Sequence, residues 1–163
     1  MRKRNRLEKV LIAVLIVLVL VLIFAFGTFN RSLAPFHQKE ARFEQLARKQ
    51  KYVKKTDRFY WFTRKKTYYT VSGETKDGQA KLIVFDAKKK VVADLNVKDG
   101  LDRNQVLKKF NEEHPKIVID RLNFGMYDET PVWEITSKNT QGTFDYYLFS
   151  FKDGQELKVV KDI

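Results

Sequence analysis

Histidine, serine and metal-ligating side chains of this sequence lack the spacing that catalysis needs. His37 and His114 are its only histidines; the first lies close to the apolar N-terminal run, and the second ends a predicted helix, where a cation suits the helix dipole. No serine lies in a Gly-x-Ser-x-Gly or Ser-x-x-Lys setting. The chain has no cysteine and no Asp-x-Asp-x-Asp-Gly loop, so it shows no metal-ligand pattern either. The sequence therefore predicts a protein that is not an enzyme and needs no cofactor.

Two pairs of carboxylates occur, at Glu112-Glu113 and at Asp128-Glu129. A glycosidase would need two such groups on opposite sides of a sugar-binding cleft. Neighbours in sequence seldom face each other across a cleft. We interpret the first pair as a solvated helix end and the second as a turn.

Residues 59–62 are four consecutive aromatic residues and are the strongest indication of an interaction surface in the sequence. Alternation along a strand sends Tyr60 and Phe62 to one face and their neighbours to the other, so a one-sided sheet can bury only half of these rings. The remaining rings must pack between two halves of the protein or against another protein. Tyr60 and Phe62 are therefore candidate interaction residues, with packing between the halves favoured.

Trp133, Glu134 and Ile135 form a second informative run. In a strand, Trp133 and Ile135 share one face, which we interpret as core, and Glu134 lies on the other. On an open sheet face Glu134 would meet a partner or pair with a lysine. It is the third candidate interaction residue.

The elements that must position these residues begin with an amphipathic helix that has Pro35 in its first turn and ends near Lys51. Short aromatic and β-branched runs then predict strands, and Asp77-Gly78 is a hairpin turn signal. The predicted strands of this half are residues 59–62, 67–71, 81–85 and 91–93.

The same order of elements then repeats. Asp102 followed by Gln105 predicts a capping box, and the helix that it opens should end at His114-Pro115. Asp153-Gly154 supplies the last tight turn. The predicted strands of this half are residues 117–124, 132–136, 144–151 and 157–160.

A shift of 63 or 64 residues superposes the two halves at several places, so we predict an α+β fold with two units, each a helix packed on an antiparallel sheet. Each sheet should bury one face under its helix and leave the other free. A chance similarity of hydrophobic strands is the alternative. The matching positions are Asp57-Arg58 with Asp120-Arg121, Tyr69 with Trp133, Val71 with Ile135, Gly78 with Gly142, and Phe85 with Phe149.

An unbroken apolar run from Val10 to Phe26 dominates the N-terminal region. Residues 10–29 would span roughly 30 Å as a helix, which matches the hydrocarbon core of a bilayer. The positive-inside rule then predicts a single-pass membrane protein with a cytoplasmic N-terminus and extracytoplasmic C-terminal domains. A cleaved signal peptide is the alternative, but its apolar region is usually shorter. The basic residues that precede the run are Arg2, Lys3, Arg4, Arg6 and Lys9.

The formal net charge of the chain is +12. A basic surface outside the membrane favours anionic lipid head groups or acidic wall polymers as partners, although lysines also serve as a solubilising surface. Nucleic acid is not expected as a partner, because the predicted topology places the domains on the other side of the membrane.

Several phrases resemble the YpmB/TseB family, whose domain is described as a cell wall elongation regulator. The most specific are Asn123-Phe124-Gly125-Met126 and residues 131–135, Pro-Val-Trp-Glu-Ile. More generic matches are residues 68–71, residues 81–85 and Asp99-Gly100. The likeness runs from the basic tail to the end of the chain. At residues 82–85 the sequence lacks the tryptophan that is usual in this family's strand, so a partner site there would differ.

The resemblance implies two tandem PepSY-like, cystatin-fold units behind an N-terminal membrane anchor. It also implies a non-enzymatic accessory factor that assists a penicillin-binding transpeptidase. An inhibitor or chaperone of an extracytoplasmic peptidase is the alternative. The expected organisation is a cytoplasmic tail at 1–9, a transmembrane helix at 10–29, a first unit with its leading helix at 30–97 and a second unit at 98–163.

Overall fold

The structure is a computed structural model and describes residues 6–138 and 142–161. The chain divides into two compact units, Met1–Lys39 and Glu40–Ile163, and we call the second the folded body. The elements are α1 (Arg6–Lys49), β1 (Lys55–Thr63), β2 (Thr67–Glu74), β3 (Ala80–Asp86), β4 (Val91–Asn96), a 3-10 helix (Val97–Asp99), α2 (Arg103–Glu113), β5 (Ile119–Tyr127), β6 (Thr130–Lys138), β7 (Phe144–Ser150) and β8 (Glu156–Val160).

The N-terminal unit is helical and carries the apolar run. Its stretch from Glu8 to Thr28 has a mean hydropathy of 3.5, is long enough to cross a membrane and buries none of its side chains within the protein. A helix suits lipid because it satisfies its own backbone hydrogen bonds. The stretch supports membrane association. Residues 1–5 of the predicted cytoplasmic tail lie outside the described residues.

Pro35 corrects one prediction. It was expected in the first turn of a separate helix, whereas α1 runs from Arg6 to Lys49 with Pro35 inside it. A proline within a helix removes one backbone hydrogen bond and costs about 3 kcal/mol. The residues that follow it include Ala41, Glu44 and Leu46, which have high helix propensity and offset that loss.

The first sheet is antiparallel with the order β1-β2-β3-β4. One face packs on the end of α1, where Phe43 and Ala47 are fully enclosed. The ring of Phe43 lies 4.3 Å from that of Tyr69 and 5.4 Å from that of Phe85, measured between centroids. Aromatic packing therefore stabilises this face of the sheet. The contact agrees with the prediction that an amphipathic helix packs on the first sheet.

The opposite face of the first sheet is also covered, contrary to the expectation that it would be free. Tyr60, Leu82 and Val84 belong to one hydrophobic cluster with Phe124 and Trp133 of the second sheet. The sequence periodicity could not show this, because alternation tells which residues share a face and not what lies on it.

Strand β5, at the edge of the second sheet, lies against that face. The Thr70 hydroxyl donates to the Phe124 carbonyl over 3.2 Å, and the Asn123 amide donates to the Trp61 carbonyl over 2.7 Å. A side chain at Gly125 would overlap the Phe62 ring. Glycine therefore permits the close approach of β5 to β1.

The second sheet is antiparallel with the order β5-β6-β7-β8, and α2 packs on one of its faces. Val106 and Phe110 are the buried residues of α2. The Phe110 ring meets Tyr147 at 5.0 Å between centroids. The Trp133 indole donates to the Leu101 carbonyl over 2.8 Å, which satisfies its only polar atom.

The capping box predicted at Asp102 and Gln105 is confirmed. The Asp102 carboxylate accepts from the backbone N–H of Asn104 and of Gln105, and the Gln105 side chain accepts from the Asp102 N–H. Helix α2 ends at Glu113 with His114 as its C-cap, as the sequence predicted.

Register shifts occur at corresponding places in the two sheets. In the first strand pair of each sheet the shift lies between Thr56 and Arg58 or between Ile119 and Arg121. In the last pair it lies between Val84 and Phe85 or between Leu148 and Phe149. The two sheets thus share strand order and irregularities. The cross-strand pairs Tyr69 with Phe85 and Trp133 with Phe149 also correspond.

Candidate functional site

The candidate site surrounds the turn between β1 and β2, which consists of Arg64, Lys65 and Lys66. We call it the basic turn. Thr63 and Thr67 close the hairpin at its base, with their hydroxyls 3.3 Å apart. The Arg64 N–H donates to the Lys66 carbonyl over 3.2 Å, which tightens the turn. Three consecutive cations are thereby held at one end of the first sheet.

Arg64 joins the basic turn to the second sheet. Its Nε donates to Oε2 of Glu134 on β6 over 2.6 Å. Its guanidinium also lies 4.0 Å from the ring centroid of Tyr146 on β7. Glu134 is 6% exposed, so this ion pair is largely shielded from water. The pair holds the basic turn against the face of β6 that carries Glu134.

Burial raises the pKa of the Glu134 carboxyl, because the charged form loses hydration. The guanidinium of Arg64 acts in the opposite direction, both by its charge and by its hydrogen bond, and Arg121 adds a weaker effect of the same sign. Desolvation is the larger influence. The charged form of Glu134 is therefore destabilised by burial, and Arg64 and Arg121 offset part of that destabilisation.

A cleft of about 320 Å³ opens beside this ion pair. Its lining combines aromatic rings with both signs of charge, which suits a polar ligand or a protein segment with apolar and charged side chains. The lining residues are Trp61, Thr63, Arg64, Asp120, Arg121, Asn123, Glu134, Thr136, Phe144 and Tyr146.

Of the three predicted interaction residues, Tyr60, Phe62 and Glu134, the cleft includes Glu134. Tyr60 and Phe62 are 8% and 0% exposed. They pack between the two sheets, where the favoured interpretation placed them, because β5 and β6 cover the face of β1 that carries them. Glu134 does line the cleft, although its partner is Arg64 and not the expected lysine. Trp133 is a core residue, as interpreted, with 1% exposure.

Arg64, Arg121 and Tyr146 were not identified from the sequence. The run Arg64-Lys65-Lys66 between two predicted strands was a readable signal of a basic hairpin turn. Nothing local indicated that Arg64 would reach Glu134, which is 70 residues away in the chain.

His114 and the Glu112-Glu113 pair lie together at the end of α2. The His114 ring packs beside those of Phe110 and Tyr147, and its Nε2 is 3.2 Å from Oε2 of Glu156. Glu113 ends α2 and pairs with Lys109 over 2.7 Å. The interpretation of the Glu112-Glu113 pair as a helix end is confirmed.

The second carboxylate pair lies in the turn between β5 and β6. Asp128 and Glu129 have φ values of 46° and 65° there, which confirms the interpretation as a turn. One cluster with metal-ligand character exists within residues 6–138 and 142–161. Single ligand atoms of Glu113, His114 and Glu156 lie within 4.8 Å of one another. Within this cluster Glu113 is already paired with Lys109, and His114 Nε2 lies within hydrogen-bond distance of Glu156.

Residues 44–85 match the model of the cell wall elongation regulator TseB-like domain. This segment includes β1, the basic turn, β2 and most of β3. The resemblance to the TseB-like family is confirmed. No curated protein matches the chain significantly.

Two solved structures are similar to the chain. The YpmB protein from Bacillus subtilis has 23% identity and a TM-score of 0.60, and the match covers 72% of this chain and 93% of that one. It shares the fold. A candidate lipoprotein from Clostridium difficile 630 has 16% identity and a TM-score of 0.41, over 73% of this chain and 89% of that one.

Proposed function

We propose that this protein is a membrane-anchored, non-enzymatic accessory factor that regulates cell wall elongation by contact with a penicillin-binding transpeptidase. The observation that supports the role best is the TseB-like match over residues 44–85. That segment contributes Trp61, Thr63 and Arg64 to the cleft beside Glu134. The family segment therefore supplies part of the lining of the candidate contact site.

The proposed topology has the apolar stretch Glu8–Thr28 across the membrane, the N-terminus in the cytoplasm and the folded body outside. Its support is the hydropathy of the stretch and the excess of basic residues before it. Tethering would raise the effective concentration of the folded body near a membrane partner, so a weak contact would suffice.

The chain that follows the apolar stretch is proposed to consist of two PepSY-like units, at 30–97 and 98–163. The shared strand order, with register shifts 63 or 64 residues apart, supports this organisation. In this arrangement the cleft lies where the first unit's hairpin meets the second unit's sheet.

Capture from crosslinked cells tests the partner, with the full chain as bait. We expect a penicillin-binding transpeptidase among the crosslinked proteins. Arg121→Glu should weaken its recovery, because Arg121 is exposed and lines the cleft. Lys108→Glu is a matched control, since Lys108 is 79% exposed on α2. Recovery of an extracytoplasmic peptidase instead, or equal loss in both variants, would contradict the proposed contact.

The non-enzymatic role has a separate test. His37→Ala and His114→Ala should each restore function to a strain that lacks the protein, because neither residue belongs to a catalytic arrangement. Loss of function in a variant that reaches normal levels and is folded would reopen an enzymatic role.

A further inference from the structure

A second cavity, of about 450 Å³, lies on another side of the basic turn and is distinct from the cleft beside Glu134. Three cationic side chains line it, Arg64, Lys65 and Lys158, and none of its lining residues is a carboxylate. Tyr127, Leu148 and Val160 provide the less polar part of the lining.

Two ammonium groups lie near one ring in this cavity. Nζ of Lys158 lies 5.3 Å and Nζ of Lys65 lies 5.5 Å from the Tyr127 centroid. Lys158 also donates to the Tyr127 hydroxyl over 3.0 Å, which holds its ammonium in place. Nζ of Lys158 lies toward the hydroxyl end of the ring, because it is 3.0 Å from the hydroxyl oxygen and 5.3 Å from the centroid. The two cations repel each other. An anion between them would relieve that repulsion.

The charges are only partly compensated by the protein. Lys65 pairs with Asp128 at 2.9 Å, and Arg64 pairs with Glu134 through Nε. Lys158 forms no salt bridge to a carboxylate of the described residues. Its remaining N–H donors are therefore available to an external acceptor.

We propose that this cavity binds the phosphate group of a phosphate ester, with Lys158 and Lys65 on the phosphate oxygens and the organic part against Tyr127 and Val160. Phosphate offers several acceptor oxygens and so satisfies neighbouring ammonium donors better than a single carboxylate does. The apolar residues favour an ester with a carbon chain over inorganic phosphate. Two sources supply this chemistry, a phospholipid head group and a soluble phosphate ester.

The test uses the full chain in neutral detergent and titrates it with hexyl phosphate or with inorganic phosphate, followed by the backbone amide signals of β8. We expect saturable binding, tighter for hexyl phosphate. Lys158→Gln and Lys65→Gln should each weaken binding about tenfold, as for one charge-assisted hydrogen bond. Lys108→Gln, on exposed α2, should leave it unchanged.

Unsaturable shifts, or equal binding by all three variants and the parent protein, would overturn the proposal. Equal affinity for the two phosphates would overturn the role given to the apolar residues. Far-UV circular dichroism verifies that each variant is folded, and the two lysines give independent tests.

Titration of the protein in lipid nanodiscs distinguishes a phospholipid head group from a soluble phosphate ester as the source of the phosphate group. If phosphatidylglycerol head groups fill the cavity, replacing neutral phosphatidylcholine with phosphatidylglycerol will raise the apparent dissociation constant for hexyl phosphate. In Lys158→Gln this dependence on lipid should disappear. An unchanged constant assigns the cavity to a soluble ester and supports the same phosphate chemistry.

Discussion

The ring of Tyr60 on β1 meets the indole of Trp133 on β6 edge to face, with centroids 5.7 Å apart and planes at 86°. This contact joins the two sheets inside one hydrophobic cluster. Burial raises the pKa of the Tyr60 hydroxyl. The stability of the first sheet therefore depends on residues of the second.

Tyr60→Ala should lower the free energy of unfolding by about 3 kcal/mol, because it removes a buried ring and leaves a cavity beside Trp133. Chemical denaturation of the full chain, followed by tryptophan fluorescence, measures the change. Val118→Ala is the control and should have an effect within about 0.5 kcal/mol, since Val118 is 77% exposed. Equal effects of the two substitutions would show that the contact carries no stability.

A chain truncated after Val97 should lack a cooperative unfolding transition. It would keep β1–β4 but lose the residues that cover Tyr60, Leu82 and Val84. Roughly 60 residues rarely bury enough apolar surface to fold without help. Binding of a hydrophobic dye and rapid proteolysis are the expected observations. A sharp transition in the fragment would mean that the first sheet is stable by itself.

Glu134 should make stability depend on pH. Its raised pKa means that the folded protein holds this proton more tightly than the unfolded chain does. The free energy of unfolding should then fall as pH rises from the ordinary carboxyl value of 4.5 through the raised value.

Glu134→Gln should remove that part of the pH dependence, because the amide is neutral throughout. Denaturant midpoints of both proteins from pH 4 to pH 8 measure the slope. Glu113→Gln is the control, because Glu113 is more exposed on α2 and should leave the slope nearly unchanged. A wild-type slope of opposite sign, absent in Glu134→Gln, would show that the ion pair with Arg64 outweighs desolvation.

A reporter fused after Ile163 should be active only outside the cytoplasm, and the mature chain should keep residues 1–29. The reason is the hydropathy of Glu8–Thr28 together with the basic residues before it. Membrane fractionation and N-terminal sequencing provide the measurements. A soluble product that begins near Thr28 would instead indicate a cleaved signal peptide.

Local chemistry made several elements predictable. The capping box at Asp102 needs only residues 102–105, and the Asp77-Gly78 turn needs only a residue that accepts positive φ. Gly78 has a φ of 76°, and the Thr75 N–H donates to the Gln79 carbonyl across the turn. Such signals are complete within a few residues of sequence.

Relations between distant segments were not predictable. Pro35 was expected near the start of a helix because proline is common in the first helical turn. That expectation takes no account of the helix propensity of the residues on either side, and α1 continues through Pro35. Glu134 was assigned to an open face, since alternation cannot show that Arg64 covers it. The α+β fold was therefore accessible from the sequence, but the cleft required the packing of one sheet on the other.

The covering of Tyr60 by residues of β5 and β6 has a consequence during biosynthesis. Ribosomes add roughly 5–20 residues per second, so several seconds separate the appearance of Tyr60 from that of Trp133. Throughout that interval Tyr60, and then Leu82 and Val84, lack the residues of β5 and β6 that bury them in the folded protein. Their apolar side chains are then exposed. A holdase that shields these side chains until Trp133 emerges would raise the yield of native protein, and slow codons between Tyr60 and Trp133 would lower it.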